Sequence, residues 1–251
     1  MKINFSDQSS IDSVFDDELN QLHVSNDTVI EETLVRRLGD MNELFVDAHD
    51  VPLDFPLYYM YNGIYRKMHE KFFKEGNVKY EYTVLPALTF NDEFLKAHGH
   101  IHTIRPIKNT RHVEIYEILH GEGYFQMFRE VEGILQVILM KVKPGDRFLI
   151  PGDYFHLSIN TGKTPLIFGD LITNEAANDY GPLKVKKGAP FFAMKRENER
   201  VGFVFNPNYG STRFEVSYVD IDSLPWENPV ADLPLYAHFI THPEAFAYLN
   251  R

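Results

Sequence analysis

Two stretches of this sequence decide the fold. Residues 98–116 read HGHIHTIRPIKNTRHVEIY, and residues 145–160 read GDRFLIPGDYFHLSIN. In both, polar side chains recur two positions apart, the spacing at which side chains on a β-strand leave the same face. His100 and His102 form one such pair. The pattern therefore predicts strands that aim metal-binding side chains into one interior.

The region around these stretches has the sequence pattern of an all-β protein. From Lys79 to about Val219, short β-branched and aromatic runs are separated by turn residues. Strands are predicted over residues 80–85, 112–119, 124–129, 134–142, 147–150, 155–160, 166–173, 191–195, 202–206 and 214–219. This spacing favours a β-barrel or sandwich over alternating strand and helix units.

The two ends of the chain differ from this region. Residues 1–54 carry 13 acidic and 3 basic side chains, which is typical of a solvated surface layer. Short helices are predicted over residues 11–22, 28–38 and 65–74, and a closing helix from Thr241. We expect three parts: an acidic helical extension packed on the barrel (1–50), the barrel itself (51–223) and a C-terminal tail (224–251).

Composition excludes several classes of protein. The 251 residues contain no cysteine, so disulfides and thiolate metal sites are impossible, and a metal must be held by nitrogen and oxygen. The net charge is -11, and no basic cluster suits nucleic acid or an anionic membrane surface. No apolar stretch approaches the ~20 residues of a membrane span. Because Met1 to Ser10 do not resemble a signal peptide, we expect a cytoplasmic protein.

A metal site is predicted from side chains on three strands. His100, His102, Glu114 and His156 all point to one interior, an oxygen and nitrogen donor set that suits Fe²⁺, Mn²⁺, Ni²⁺ or Zn²⁺. Such a set leaves coordination positions open for water or substrate. The remaining histidines of the region are predicted to be structural and to contact solvent or a strand edge: His98, His112 and His120.

These residues resemble both signature segments of the cupin family. The first, Gly-X-His-X-His followed by Glu-X6-Gly, is resembled by His98-Gly99-His100-Ile101-His102 and by Glu114 with Gly121 seven residues on. The second, Gly-X5-Pro-X-Gly-X2-His-X3-Asn, is matched from Gly145 to Asn160, except that Asp153 replaces a glycine. The resemblance implies a double-stranded β-helix, or jelly-roll barrel. The long interval between His102 and Glu114 predicts a loop over the pocket mouth.

A narrower resemblance, from about Arg37 to Tyr209, is to the cupin-type, metal-dependent glucose-6-phosphate isomerases. Its landmarks are LYYMY at 57–61, Thr83 ten residues before Glu93, GHIH at 99–102, EIY at 114–116, residues 151–160, NDYG at 178–181 and NPNY at 206–209. The resemblance implies a homodimer of glycolysis and gluconeogenesis with one divalent ion per chain, Fe²⁺ first among the candidates. It also implies that the sugar phosphate is bound by Thr83, Gly99, Tyr116 and Tyr180, and the metal by His100, His102, Glu114 and His156.

Two positions depart from the family pattern. Ala97 stands where a threonine is usual, and Ile172 where some members have a tyrosine. Both changes remove hydroxyl donors that would face phosphate or sugar oxygens, at a cost of about 1.5 to 3 kcal/mol for each bond to a charged group. Compensating charge is expected from Arg105, Lys108 and Arg111 in the long loop.

The leading hypothesis is an aldose–ketose isomerase that interconverts D-glucose 6-phosphate and D-fructose 6-phosphate. Glu114 would shuttle a proton between C1 and C2 through an enediolate while Tyr116 steadies the sugar oxygens, or a metal-promoted hydride shift would replace the proton transfer. The alternatives are a cupin Fe²⁺ dioxygenase with the same ligands, a non-catalytic cupin that binds sugar or sugar phosphate, and an isomerase of another sugar.

Overall fold

A computed structural model of the chain describes residues 1–105, 108–228 and 232–250. The strands are β1 (Lys2–Asn4), β2 (Ser13–Asp16), β3 (Gln21–Val24), β4 (Thr28–Arg37), β5 (Pro56–Arg66), β6 (Val78–Leu85), β7 (Thr89–Phe90), β8 (Glu93–Phe94), β9 (Ile101–His102), β10 (Glu114–His120), β11 (Gly123–Val131), β12 (Ile134–Val142), β13 (Arg147–Ile150), β14 (Phe155–Asn160), β15 (Leu166–Thr173), β16 (Asn178–Asp179), β17 (Phe191–Lys195), β18 (Val201–Phe205) and β19 (Arg213–Val219). The α-helices are α1 (Ser6–Ser9), α2 (Glu70–Gly76), α3 (Gly181–Val185) and α4 (Leu235–Thr241), and a 3₁₀ segment spans Pro243–Asn250.

Two sheets form the body of the fold. One has six strands in the order β13-β10-β15-β6-β5-β4, and the other has four in the order β14-β11-β12-β19. Their inner faces share one apolar core, to which Tyr116 and Phe168 contribute from the first sheet and Phe125 and Met140 from the second. The predicted all-β jelly-roll fold of the cupin type is confirmed.

Local sequence explains why the central strands form where they do. The hairpin between β11 and β12 pairs Val131 with Ile134 across a two-residue turn. Both turn residues, Glu132 and Gly133, have positive φ angles of 51° and 78°. This is the turn geometry whose twist matches that of the flanking strands.

Alternation along β6 separates the core from the site. Tyr80 and Tyr82 are fully buried in a second apolar cluster on the outer face of the six-stranded sheet. The residues that alternate with them, Lys79, Glu81 and Thr83, face a cavity on the other side. A period of two therefore places a polar row of side chains inside the barrel.

The predicted N-terminal helices are wrong. Residues 13–16 and 21–24 are strands, and 28–37 form β4, which pairs with β5 from Thr28 opposite Arg66 to Arg37 opposite Pro56. Helical spacing in this segment is weak, and ten residues of antiparallel pairing with a distant strand override it. The division of the chain into extension, barrel and tail stays a prediction.

Two further helices begin elsewhere than predicted. Strand β5 continues through Arg66, so that α2 begins only at Glu70. The closing helix spans Leu235–Thr241 instead of opening at Thr241, and the 3₁₀ segment follows from Pro243. Proline lacks the backbone N–H that would continue the α-helix. Within the described ranges, no helix has the length and apolar character to cross a membrane.

Candidate metal centre

Four donor side chains converge inside the barrel. The ligand atoms of His100, His102, Glu114 and His156 all lie within 4.8 Å of one another. His102 is on β9, Glu114 begins β10 and His156 is on β14. His100 is held beside His156 by a pair of backbone hydrogen bonds of 3.1 and 2.9 Å. Three neighbouring pieces of backbone thus fix all four donors.

The donor atoms are spaced as ligands of one shared cation. Nε2 of His102 and Nε2 of His156 each lie 3.2 Å from Oε2 of Glu114. Nε2 of His100 lies 3.3 Å from Nε2 of His102. Lone pairs that face each other at this distance repel unless a proton or a cation lies between them.

Backbone carbonyls orient two of the imidazoles. Nδ1 of His102 lies 2.9 Å from the carbonyl oxygen of His112, and Nδ1 of His156 lies 3.4 Å from that of Tyr154. If each Nδ1–H donates to its carbonyl, Nε2 is left with its lone pair toward the centre, as in metal-ligating histidines. Burial lowers the pKa of His100 well below its usual range, which keeps this ring in the neutral form that binds metal. The residues fit a divalent transition metal.

Glu114 and Tyr116 form a hydrogen-bonded pair beside the histidines. The Tyr116 hydroxyl donates to Oε2 of Glu114 at 2.6 Å and lies 3.2 Å from Nε2 of His156. Burial, followed by the charge of Glu114, holds the pKa of Tyr116 well above its usual value, so the phenol stays protonated. Burial alone would raise the pKa of Glu114, but hydrogen bonds to His102 and His156 outweigh it and lower that pKa well below its usual range.

A cavity of about 170 Å³ opens beside these donors. All four residues predicted to bind the sugar phosphate line it: Thr83, Gly99, Tyr116 and Tyr180. Gly99 has a φ of 72°, and a Cβ atom there would lie 2.7 Å from a methyl group of Leu183. A glycine is therefore required at this point of the wall. The binding roles of the four residues stay predictions.

Arg36 is a charged residue of the cavity that was not identified from the sequence. Nε of Arg36 donates to the Tyr58 hydroxyl at 3.3 Å, and Nη2 donates to the Tyr180 hydroxyl at 3.4 Å. Its guanidinium also lies 5.4 Å from the ring centre of Tyr180. Arg36 and Arg37 are two of the three basic residues in the first 54, and this isolated pair was the available signal.

Three further charged residues line the cavity: Lys79, Glu81 and Asp170. Asp170 is directly opposite Glu81 on one neighbouring strand and opposite Tyr116 on the other. Lys79 forms a 2.9 Å ion pair with Glu81. Burial, with the charges of Glu114 and Glu81, holds the pKa of Asp170 well above its usual range.

The arginines of the long loop do not supply the expected charge. Arg105 and Arg111 bond to His112 and to the backbone of His102 respectively. Of the loop's residues that the structure describes, none lines the cavity, so the predicted lid over the mouth is not found. The two arginine side chains therefore contact the histidine segment of the cluster instead of the cavity.

His98 also differs from its prediction. It lies in the cavity wall instead of at solvent or a strand edge, with its ring 4.4 Å from that of Tyr180. Burial lowers the pKa of His98 to about 4, so the ring is neutral at pH 7. His112 is buried as well, whereas His120 is only partly buried. His98 stands two residues before His100, and this spacing was the available signal, but His98 was set aside because it does not fit the cupin signature.

A comparison with known protein families shows which family this chain belongs to. The family model for glucose-6-phosphate isomerase (GPI) matches residues 36–207. The chain belongs to this family. A glucose-6-phosphate isomerase of Pyrococcus horikoshii is 32% identical over 180 residues, which cover 70% of this chain and 87% of that protein. One from Thermococcus litoralis is 31% identical over 179 residues, which cover 70% and 86%.

The match to the glucose-6-phosphate isomerase family does not extend over the whole chain. It begins at Arg36, the charged residue of the cavity, and ends at Pro207. Helix α4 and the 3₁₀ segment after it therefore lie outside the match. Among solved structures, hazelnut vicilin overlaps 49% of this chain at 15% identity with a TM-score of 0.37, and this chain covers 32% of that vicilin chain.

Proposed function

We propose that this protein interconverts D-glucose 6-phosphate and D-fructose 6-phosphate in the cavity beside its four-donor cluster. The observation that carries the proposal is the convergence of His100, His102, Glu114 and His156 next to a cavity lined by Arg36, in a member of the glucose-6-phosphate isomerase family. We assign one divalent ion to each chain, Fe²⁺ before Mn²⁺, Ni²⁺ or Zn²⁺. When bound, such an ion supplies positive charge that stabilises negative charge on the sugar oxygens at C1 and C2.

The chain's own groups handle the proton. Isomerisation moves one hydrogen between C1 and C2, and Glu114 is the carboxylate of the donor cluster. Tyr116 holds Oε2 of Glu114 at 2.6 Å, which fixes the orientation of the carboxylate beside the sugar. A positioned carboxylate contributes roughly 10²- to 10⁴-fold to such a transfer. A hydride shift from C2 to C1 is the second route, and in that case Glu114 would only orient the sugar.

The phosphate is assigned to the Arg36 side of the cavity. The planar guanidinium of Arg36 presents several N–H donors in a geometry that suits phosphate oxygens. Tyr180, which accepts a bond from Arg36 at 3.4 Å, lies between this arginine and the ring of His100. Thr83 and Gly99, which also line the cavity, are assigned to the same phosphate site. The sugar hydroxyls are then directed toward Glu81 and Asp170.

The other parts of the proposal rest on the family affiliation. We propose a cytoplasmic homodimer that acts in glycolysis and gluconeogenesis. The family match favours the isomerase over a dioxygenase with the same donors. Ala97 lines the cavity without the hydroxyl that is usual there, so a neighbouring sugar phosphate such as mannose 6-phosphate belongs in the test.

The experiment is turnover of fructose 6-phosphate to glucose 6-phosphate, coupled to a dehydrogenase that reads glucose 6-phosphate. Mannose 6-phosphate isomerisation and oxygen uptake are measured in parallel. Turnover that a chelator abolishes and Fe²⁺, Mn²⁺ or Ni²⁺ restores supports the proposal. Metal-bound protein that takes up oxygen, or that isomerises only another sugar, overturns it.

A further inference from the structure

We propose that the C-terminal segment, residues 235–250, positions His102 for metal binding through the side chain of Arg105. The inference rests on the metal site of the proposed function. Neither Arg105 nor Leu249 is part of the donor cluster, and the C-terminal segment lies outside residues 36–207, which match the family. Arg105 is therefore a positioning residue, because it acts on the metal ligand through other groups.

Arg105 joins the C-terminal segment to His112. The side chain is buried, with 7% of the residue exposed. Nη2 donates to the carbonyl oxygen of Leu249 at 2.9 Å, and Nε donates to Nδ1 of His112 at 3.0 Å. A guanidinium can make both bonds at once, since its donors are fixed in one plane.

His112 in turn contacts the metal ligand His102, so the position of His112 affects the orientation of that ring. Its carbonyl oxygen lies 2.9 Å from Nδ1 of His102, the bond that turns Nε2 of His102 toward the cluster. Arg111 also donates to the carbonyl oxygen of His102. The Arg105 amide donates to the carbonyl of Thr110 at 2.8 Å, which connects the two described ends of the loop. Three side-chain bonds in sequence thus connect Leu249 to His102.

The C-terminal segment is itself held in place by hydrogen bonds to the rest of the fold. Leu235 N–H donates to Oε2 of Glu117 at 2.7 Å, and the Tyr236 hydroxyl accepts from Arg66 N–H at 2.8 Å. Asn250 donates to the carbonyl of Gly76 at 2.6 Å. Leu249 itself is fully buried. An anchored carbonyl at this position limits how far Arg105, and therefore His112, can move.

Loss of Arg105 should lower the affinity for metal more strongly than it lowers the stability of the fold. Removing the direct hydrogen-bond partner of a metal ligand typically costs 10- to 100-fold in affinity. Arg105 lies one bond further out, so we expect a loss of about threefold to tenfold in affinity. The fold itself keeps the other anchors of the segment.

The experiment compares three variants of the full chain. Arg105→Met removes both donors at similar length, Arg105→Lys keeps the charge but cannot make both bonds, and Tyr236→Phe removes an anchor of the same segment without touching Arg105. The readouts are the dissociation constant of Co²⁺ by competition with a chromophoric chelator, the visible spectrum of the Co²⁺ form, and the urea midpoint. None of them requires turnover, so they remain informative even if the isomerase activity is absent.

The expected result is a threefold to tenfold rise of the dissociation constant in Arg105→Met with an altered Co²⁺ spectrum, and a smaller rise in Arg105→Lys. Tyr236→Phe should lower the urea midpoint but raise the dissociation constant by less than Arg105→Met does, because it loosens one anchor of the segment and keeps both bonds of Arg105. Equal dissociation constants in wild type and both Arg105 variants overturn the proposal. So does a rise in Tyr236→Phe as large as that in Arg105→Met, because the effect would then follow stability alone.

Discussion

The hydroxyl of Tyr116 donates a 2.6 Å hydrogen bond to Oε2 of Glu114. The same carboxylate oxygen lies 3.2 Å from Nε2 of both His102 and His156. One oxygen of the carboxylate is therefore surrounded by three neighbours, and the orientation of Glu114 depends on them. This relationship gives the first two predictions.

Replacing the carboxylate should remove turnover and leave the barrel intact. In Glu114→Gln the side chain keeps its size, but the amide cannot take up a proton. We expect kcat to fall by roughly 10²- to 10⁴-fold, the usual contribution of a positioned general base. The coupled assay measures the rate, and circular dichroism checks the fold. Full activity in this variant would exclude Glu114 from the chemistry and favour the hydride shift.

Removing only the phenol oxygen of Tyr116 should lower kcat by a smaller factor. The ring of Tyr116 packs against Phe125, Phe148 and Phe168 with centroids 5.1 to 5.6 Å away, and Tyr116→Phe keeps these contacts. A hydrogen bond to a charged group contributes about 1.5 to 3 kcal/mol, so kcat should fall by about tenfold to a hundredfold. Steady-state kinetics measure this change. A variant that raises KM at constant kcat would instead assign the hydroxyl to substrate binding.

The charge at Arg36 should determine affinity for the phosphate group. In Arg36→Met we expect KM for fructose 6-phosphate to rise by about tenfold to a hundredfold, because one charge-assisted hydrogen bond is lost. Inorganic phosphate should also inhibit this variant less strongly. The control is Arg37→Met, whose guanidinium donates to the carbonyl of Asp54 at 2.6 Å on the exposed side of the chain. An equal effect in both variants would contradict a local role for Arg36.

A buried ion pair should stabilise the segment that precedes β5. Lys96 and Glu93 are 3% and 0% exposed, and they pair with each other. Lys96 also donates to the carbonyl of Leu44 at 2.6 Å, and Glu93 accepts from the Val46 amide at 2.7 Å. Lys96→Met leaves a buried carboxylate without its cation, which should cost about 3 to 5 kcal/mol of unfolding free energy.

Urea unfolding measures this loss. The matched control is Lys74→Met, which breaks an exposed ion pair with Glu70 and should move the midpoint little. An unchanged midpoint in Lys96→Met would show that the pair contributes nothing net. The Co²⁺ affinity should stay at its wild-type value in both variants, because neither residue belongs to the cavity wall.

Sequence patterns located the central barrel with good accuracy. The predicted strands at 134–142, 147–150, 155–160, 166–173 and 191–195 coincide with the observed β12, β13, β14, β15 and β17. Each is a β-branched or aromatic run between turn residues, and such runs can be recognised locally. The convergence of the four candidate donor residues was predicted for the same reason, since the spacing of His100 and His102 reflects strand geometry.

The N-terminal strands could not be found in this way. Strand β4 is largely exposed, carries Glu31 and Glu32 at its centre, and is held by its pairing with β5. That pairing joins residues about 20 to 40 positions apart in the sequence, and the local sequence pattern gives no indication of it. Arg36 was missed for the same reason, because its place in the cavity depends on the sheet order.

The central claim is that one metal ion on His100, His102, Glu114 and His156 makes the protein an isomerase. Metal-free protein is titrated anaerobically with Fe²⁺ while conversion of fructose 6-phosphate is followed, with His102→Ala as the comparison. We expect activity to rise in proportion to the added ion, to level off at one ion per chain, and to stay absent in His102→Ala. Full-rate conversion by metal-free protein, or a filled site without any conversion, would contradict it.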